Sequence, residues 1–181
     1  ADTTAVTIDG WTTASTTYIR IYTPTSTTEV GTSQRHSGKW DDSKYVITST
    51  ASSVITNAED YTQIVGLQVY INWYANSAYG INIGTTLGFT VSHNIVKSNP
   101  TFSGKTQNGI RGTLNNSPVV STGKVYNNLV YDIVPDDTLS KGINIPCYSG
   151  SHLRIYNNTV VNTRTGIQTG SENDSVAKNN L

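Results

Sequence analysis

The sequence has few of the residues that stabilise proteins by covalent links, charge or long apolar segments. It has one cysteine, no methionine, two phenylalanines and 13% charged residues, against about 25% in an average globular domain. The single Cys147 excludes an internal disulfide, and we interpret it as a small buried hydrophobic residue. No apolar run approaches the roughly 20 residues of a membrane span, so we expect no membrane insertion.

The charge balance gives no indication of an anionic partner. Twelve Lys and Arg balance twelve Asp and Glu, and no basic cluster stands out. Without such a cluster the chain lacks the electrostatic signature of proteins that bind phosphate backbones. We therefore expect no nucleic-acid partner.

Small polar residues are abundant instead. The chain contains 28 Thr and 18 Asn. Threonine is stiff at χ1, and the asparagine amide competes with helical hydrogen bonds, so both residues are poor in helices and common in strands and tight turns. The composition predicts an all-β protein.

An internal repeat narrows this prediction. Five six-residue segments align without gaps, with Ile or Val first and Val or Leu last: Ile64–Val69, Val91–Val96, Val125–Val130, Ile155–Val160 and Val176–Leu181. Between them a Gly-Ile pair recurs four times, at 80–81, 109–110, 142–143 and 166–167. The segments start 27, 34, 30 and 21 residues apart. The segments and the Gly-Ile pairs therefore recur while the connections between them vary in length. This behaviour is typical of a solenoid, in which strands stack and loops bulge outward.

We therefore predict one domain, residues 1–181, folded as a right-handed parallel β-helix of about six to seven coils. The first and last positions of each segment should form two inward aliphatic stacks, with Val91, Val125 and Ile155 in direct contact. The fourth position should form an asparagine ladder at a turn between strands, where asparagine tolerates left-handed angles: Asn94, Asn128, Asn158 and Asn179. The glycine before each isoleucine should supply a bend that a Cβ would obstruct.

The two ends of the chain carry separate expectations. Strand-like runs at Tyr18–Tyr22, Lys44–Thr48 and Val54–Asn57 are spaced as earlier coils, and residues 1–17 are a candidate N-terminal cap. Because the chain lacks methionine, we expect that a segment before Ala1 was removed. Because it stops on the last residue of a repeat, we expect that the polypeptide continues beyond Leu181 or that copies associate end to end.

With these residues in view, the chain resembles the β-helix repeat proteins of the pectin-lyase-like superfamily. The resemblance depends on Tyr18–Thr23, His36–Tyr45, Glu59–Val69 and the Tyr-Asn-Asn runs at 126 and 156. It is nearest to secreted or surface-exposed bacterial members without catalytic activity, and it implies an extracellular or cell-surface location. Since the superfamily includes lyases, hydrolases, tailspikes and adhesins, it implies a fold better than an activity.

Catalytic members of that superfamily place carboxylates and a basic residue on one outer face, and lyases among them commonly use calcium. The weak candidates for such a site are Asp132, Asp136, Asp137 and Lys141. The Asp136–Asp137 pair is more simply interpreted as a turn after Pro135. We expect no cofactor and no metal site, with calcium required only if the chain is a lyase.

Aromatic residues are the better candidates for binding. Trp73, Tyr74 and Tyr79, together with Asn76, fall in a polar loop where we expect no inward role, and flat aromatic faces with amide donors at the rim suit sugar rings. Tyr126 and Tyr156 alternate outward one coil apart and should stack as a strip; packing on the cylinder wall is the alternative for both groups. The run Arg35–Asp42 is either a ligand site or a salt-bridged loop folded over the coils.

Three functions are consistent with this pattern. The first is an extracellular structural, adhesive or glycan-binding scaffold, whose partner is a polysaccharide or a cell-surface glycan. The second is a polysaccharide lyase or glycoside hydrolase acting on an acidic polysaccharide. The third, ice binding through the threonines of the first 32 residues, is disfavoured because those threonines keep no single period.

Overall fold

The computed structural model describes residues 1–73, 77–101, 106–114, 120–133, 139–148, 150–170 and 175–181. In these residues 17 strands form three sheets in which neighbouring strands run parallel. Successive strands of the chain enter the three sheets in turn, so the chain winds as a parallel β-helix and the predicted fold class is confirmed. One short helix, α1 (Thr27–Val30), begins after Ser26, whose side chain accepts a hydrogen bond from the backbone N–H of Thr28.

Six coils account for the strands of the described residues. The first two coils contain β1 (Val6–Ile8), β2 (Ile19–Tyr22), β3 (Val46–Ser49), β4 (Ser53–Asn57), β5 (Thr62–Val65) and β6 (Gln68–Ile71). The next two contain β7 (Ala78–Thr86), β8 (Gly88–Ser92), β9 (Ile95–Ser98), β10 (Gln107–Leu114), β11 (Thr122–Tyr126) and β12 (Leu129–Ile133). The last two contain β13 (Lys141–Ile145), β14 (His152–Tyr156), β15 (Thr159–Thr163), β16 (Thr165–Thr169) and β17 (Val176–Lys178).

The sheets take every third strand. Sheet 1 contains β1, β4, β7, β10, β13 and β16; sheet 2 contains β2, β5, β8, β11, β14 and β17; sheet 3 contains β3, β6, β9, β12 and β15. The strands predicted near Tyr18, Lys44 and Val54 correspond to β2, β3 and β4. The segment predicted as a cap contains β1, which pairs with β4 as part of sheet 1.

The core consists of like aliphatic side chains stacked from coil to coil. In sheet 2, Ile64, Val91, Val125 and Ile155 are successive register partners, and each is 0% exposed. In sheet 3 the corresponding column is Ile47, Val69, Val96, Val130 and Val160, and in sheet 1 it is Ile55, Ile81, Ile110, Ile143 and Ile167. The predicted contact of Val91 with Val125 and of Val125 with Ile155 is therefore confirmed.

The last repeat is shifted by one residue from the prediction. Ile155 pairs with Ala177, not with Val176. The ladder position therefore falls on Asn180, whose Oδ1 accepts hydrogen bonds from the backbone N–H and Nδ2 of Asn158, both at 3.0 Å. The assignment of Asn179 to the ladder is wrong, because backbone hydrogen bonds set the register and the aliphatic ends of the segment do not.

The ladder and the left-handed turn occupy neighbouring positions. Asn94, Asn128 and Asn158 are at most 2% exposed, and each amide bonds to the coils on either side. Positive φ belongs to the residue before each ladder position, in a column made of Gly66, His93, Asn127, Asn157 and Asn179. This corrects the expectation that one asparagine does both.

The glycines of the Gly-Ile pairs lie inside strands of sheet 1, where space is the limiting factor. A Cβ added to Gly109 would lie 2.4 Å from Cγ1 of Val130 and 2.7 Å from the carbonyl oxygen of Gly142. Gly80 and Gly142 are equally crowded. Gly166 meets nothing within 4 Å, since no described third strand of the sixth coil packs against it. The predicted obstruction is thus confirmed for three of the four glycines, but the predicted bend is wrong, because all four glycines lie inside strands.

Two further features bear on the sequence-based expectations. Cys147 is 5% exposed, and burial raises the pKa of its thiol, in agreement with its interpretation as a small buried residue. Among the described residues, no helix has the length and apolar character needed to cross a membrane.

Candidate functional site

The outer face of sheet 2 carries two stacked tyrosines, which we call the tyrosine strip. Tyr126 of β11 and Tyr156 of β14 are register partners, with ring centroids 4.9 Å apart and planes 1° apart. The ring of His93 meets Tyr126 edge-on, at 5.5 Å and 83°. The side chains alternate along the strands, so Val125 and Ile155 face the core while these rings face outward. The predicted stacking of the two rings is confirmed.

Amides and cations surround the tyrosine strip. Asn127 and Asn157 follow the two tyrosines at exposed left-handed corners, each with φ of 55°, and Nδ2 of Asn127 lies 3.0 Å from Nε2 of His93. Lys124, Arg154 and Lys178 are exposed on the same face. A groove of about 490 Å³, the C-terminal groove, is lined by Arg154, Tyr156, Asn157, Val176, Lys178 and Asn179.

The structure corrects the expectations for two aromatic residues further up the chain. Trp73 is half-buried and packs against the core, so the expectation that it has no inward role is wrong. Tyr79 lies in β7 of sheet 1 and not in a loop, and the Arg111 guanidinium sits over its ring, 4.5 Å from the centroid. Both side chains are engaged by the protein, which favours packing over ligand binding in this region. Tyr74 and Asn76 lie outside the described residues.

The weak catalytic candidates do not form a cluster in the described part of the chain. Asp132 lies in β12 of sheet 3 with φ of 55°, and its Oδ1 accepts a hydrogen bond from Nδ2 of Asn162 at 2.6 Å. Lys141 lies in β13 of sheet 1, where its Nζ donates to the carbonyl oxygen of Leu139 at 2.9 Å. Asp136 and Asp137 lie outside the described residues. The side chains of Asp132 and Lys141 are thus on different sheets, and each has a structural partner.

The run Arg35–Asp42 belongs to a loop folded over sheet 3. The Gln68 amide accepts a hydrogen bond from the backbone N–H of Asp41 at 2.7 Å and donates to its carbonyl oxygen at 2.9 Å. The Lys97 ammonium lies 4.0 Å from the centroid of Trp40 and 5.4 Å from that of Tyr70. The folded-loop interpretation is confirmed, with hydrogen bonds and cation–π contacts in place of the expected salt bridges.

The same loop places two histidines and an arginine at one corner. Nε2 of His36 donates to the carbonyl oxygen of His93 at 2.8 Å, and Nδ1 accepts from the backbone N–H of Gly38 at 3.1 Å, so the bonded form of His36 is neutral. Burial lowers the pKa of His36, and the positive charge of Arg35 lowers it further. The same two causes lower the pKa of His93. The corner therefore disfavours additional positive charge.

Sequence reasoning missed a second groove on the outer face of sheet 2, which we call the Gly88 groove. Its volume is about 260 Å³, and its lining includes Tyr18, Tyr61, Gln63, Thr90, Thr122 and Lys124 around the backbone of Gly88. Tyr61 has φ of 51°, a left-handed conformation uncommon in aromatic residues. The available signal was Glu59–Tyr61, a polar run directly before a strand-like segment.

The described residues contain no group of three or more His, Cys, Asp or Glu side chains that would hold a metal ion. No protein-family model, curated protein or solved structure matches the chain. The class that the geometry defines is therefore the parallel β-helix itself, and membership of the pectin-lyase-like superfamily stays a prediction from the sequence.

Proposed function

We propose that this chain is an extracellular scaffold that binds glycans along the outer face of sheet 2. The observation that supports this most directly is the tyrosine strip with its amides and cations. Tyr126 covers one face of the Tyr156 ring, and Tyr156 also lines the C-terminal groove beside Asn157. Aromatic rings bordered by polar side chains offer a sugar ring both an apolar surface and hydrogen-bonding partners.

The repetitive fold suits this role. Each coil repeats the same outward positions at about 4.8 Å along the axis, because that is the spacing of paired strands. Tyr126 and Tyr156, and likewise Lys124 and Arg154, occupy such repeated positions. A polymer with its own regular repeat can therefore meet equivalent side chains on successive coils. The exposed cations on this face favour a glycan that carries carboxylates or sulfates.

The second candidate, a polysaccharide lyase or hydrolase, requires a carboxylate and a base in one groove. None of the described residues that line the Gly88 groove or the C-terminal groove is an Asp or a Glu. Binding without turnover is therefore the function that the described geometry favours. Release of unsaturated or reducing ends from a bound glycan would favour the enzyme instead.

The test is retention on immobilised polysaccharides, with Tyr156→Ala compared with Tyr148→Ala. Tyr148 is 55% exposed and does not line the C-terminal groove, so it is a matched control for the loss of one surface tyrosine. A suitable panel pairs neutral glucans and mannans with polygalacturonate and alginate. We expect Tyr156→Ala to weaken retention about tenfold, the equivalent of about 1.4 kcal/mol, while Tyr148→Ala behaves as wild type.

Two readouts accompany retention. The thermal transition of both variants should stay within a few degrees of wild type, and the same samples are assayed for released ends. Retention of no glycan, or equal retention by Tyr156→Ala and wild type, would refute the proposal.

A further inference from the structure

The Gly88 groove exists because one outward position of sheet 2 has no side chain. Gly88 begins β8 and is the register partner of Thr122 in the next coil. On its other side lies the ring of Tyr61, since a Cβ added to Gly88 would be 3.0 Å from Cδ1 of that ring and 3.6 Å from Oγ1 of Thr122. The glycine backbone is therefore the floor of the groove, with a tyrosine as one wall and a threonine as the other.

The tyrosine wall is held in place by the turn that carries it. The Asp60 carboxylate accepts a hydrogen bond from the backbone N–H of Leu87 at 2.7 Å, which ties this turn to the next coil. The Thr62 hydroxyl donates to the carbonyl oxygen of Glu59 at 3.3 Å. A turn positioned in this way has little backbone freedom to lose when a ligand binds, which lowers the entropic cost of binding.

A second tyrosine reaches the rim. The chain turns at Ala14 and Thr17, whose backbones exchange hydrogen bonds of 2.9 and 3.0 Å, and Tyr18 follows with 50% of its surface exposed. Ser15, inside this turn, also lines the groove. Two tyrosines thus line the groove, Tyr61 in a hydrogen-bonded turn and Tyr18 with half of its surface exposed.

Four polar side chains of the lining are free to bind a ligand. Within the part of the chain that the structure describes, the side chains of Ser15, Gln63, Thr90 and Thr122 make no hydrogen bond to the protein. Hydroxyl and amide groups both donate and accept, as sugar hydroxyls do. Lys124 is the one charged side chain among the described lining residues, and the other polar groups of the lining are uncharged hydroxyls and an amide, which match the hydroxyls of a neutral sugar.

From these features we infer that the Gly88 groove is a separate binding site for one neutral pyranose unit, such as a chain end or a side branch of a glycan. Its volume of about 260 Å³ lies just below that of pockets for drug-sized ligands, which suits a single ring. The inference shares with the proposed function the premise that the protein binds sugars, but it concerns a different groove, whose described lining has one cation where that of the C-terminal groove has two.

The test measures binding of methyl glycosides of glucose, galactose and mannose by ligand-detected NMR, with glucuronate as the charged comparison. We expect at least one neutral glycoside to bind with a Kd of about 1 mM, since a single ring makes few contacts. Gly88→Val should abolish this signal, because its methyl groups occupy the floor of the groove without removing a polar group. Valine is a good strand residue, and Gly88 does not require positive φ. Because a Cβ here would lie 3.0 Å from Cδ1 of Tyr61, the thermal transition of Gly88→Val is measured together with its binding.

Thr122→Val supplies a gentler second variant, because it is nearly isosteric and removes one exposed hydroxyl. We expect it to weaken binding by up to about tenfold. Tyr156→Ala is the matched control from the other groove and should bind the glycoside as wild type does. Equal binding by Gly88→Val and wild type, binding of glucuronate alone, or no signal from any neutral glycoside would each overturn the inference.

The two proposals fail separately. Glycoside binding that Gly88→Val abolishes, combined with no retention on any polysaccharide, would support the Gly88 groove and refute the tyrosine strip. Retention that depends on Tyr156, without any glycoside signal, would do the reverse.

Discussion

Replacing Asn128 with alanine should remove the central member of the asparagine ladder. Its Oδ1 accepts hydrogen bonds from the backbone N–H of Asn94 at 3.0 Å and from Nδ2 of Asn94 at 3.1 Å. Its Nδ2 donates to the carbonyl oxygen of Val91 at 3.0 Å and to Oδ1 of Asn158 at 2.9 Å. Asn128 is 2% exposed, so water cannot readily replace these partners.

The size of the effect follows from the groups that are left unpaired. The backbone N–H of Asn94 loses its acceptor, and the carbonyl oxygen of Val91 loses a donor. A buried polar group without a partner costs about 1–3 kcal/mol, so the two together should lower the free energy of unfolding by about 2–6 kcal/mol. Because whole domains are stable by only about 5–15 kcal/mol, this is a large share of the total.

The assay is equilibrium denaturation followed by circular dichroism, with Asn127→Gly as the matched control. Asn127 is exposed and has φ of 55°, an angle that glycine adopts freely, so its replacement should change the free energy of unfolding by less than about 1 kcal/mol. Asn180→Ala should be intermediate, because Asn180 has one described ladder neighbour, Asn158, and is only half-buried. If Asn128→Ala costs no more than Asn127→Gly, the reasoning about the ladder is refuted.

Two other predictions use matched positions of the fold. Gly109→Ala should lower the free energy of unfolding by about 1–3 kcal/mol, because its Cβ would lie 2.4 Å from Cγ1 of Val130. Gly166→Ala should be nearly neutral, because a Cβ there would have no neighbour within 4 Å. Equal denaturation midpoints for the two variants would contradict the crowding argument. Burial and the charge of Arg35 lower the pKa of His36 below its ordinary 6.5, so the folded protein binds this proton less readily than the unfolded chain. Stability should therefore fall as the pH drops below about 6.5. In thermal melts at pH 7 and pH 5, His36→Gln should lose less stability than the wild type, although some loss should remain because His93 still titrates. An identical loss in the variant and the wild type would count against a role for His36.

Much of the candidate site depends on contacts between coils that no local sequence pattern predicts. The tyrosine strip was predictable, because Tyr126 and Tyr156 follow the first position of two aligned repeats and must then point outward one coil apart. The Gly88 groove was not, because Tyr61 and Thr122 flank Gly88 only through the register of three coils joined by connections of unequal length. The packing of Trp40 on Lys97 and Tyr70 likewise joins a loop of the first coil to strands of the second and third.

The sequence by itself determined the fold class, most members of two of the three core columns and the position of three ladder asparagines. It could do so because stacked coils require the same residue types at the same places, and such a requirement is visible as a repeat. Only the tertiary structure decided that Asn180 and not Asn179 completes the ladder, that Trp73 packs against the core, and that Gly88 leaves a groove. These outcomes depend on backbone hydrogen bonds and on the space left between neighbouring coils, and neither can be predicted from any single segment of the chain.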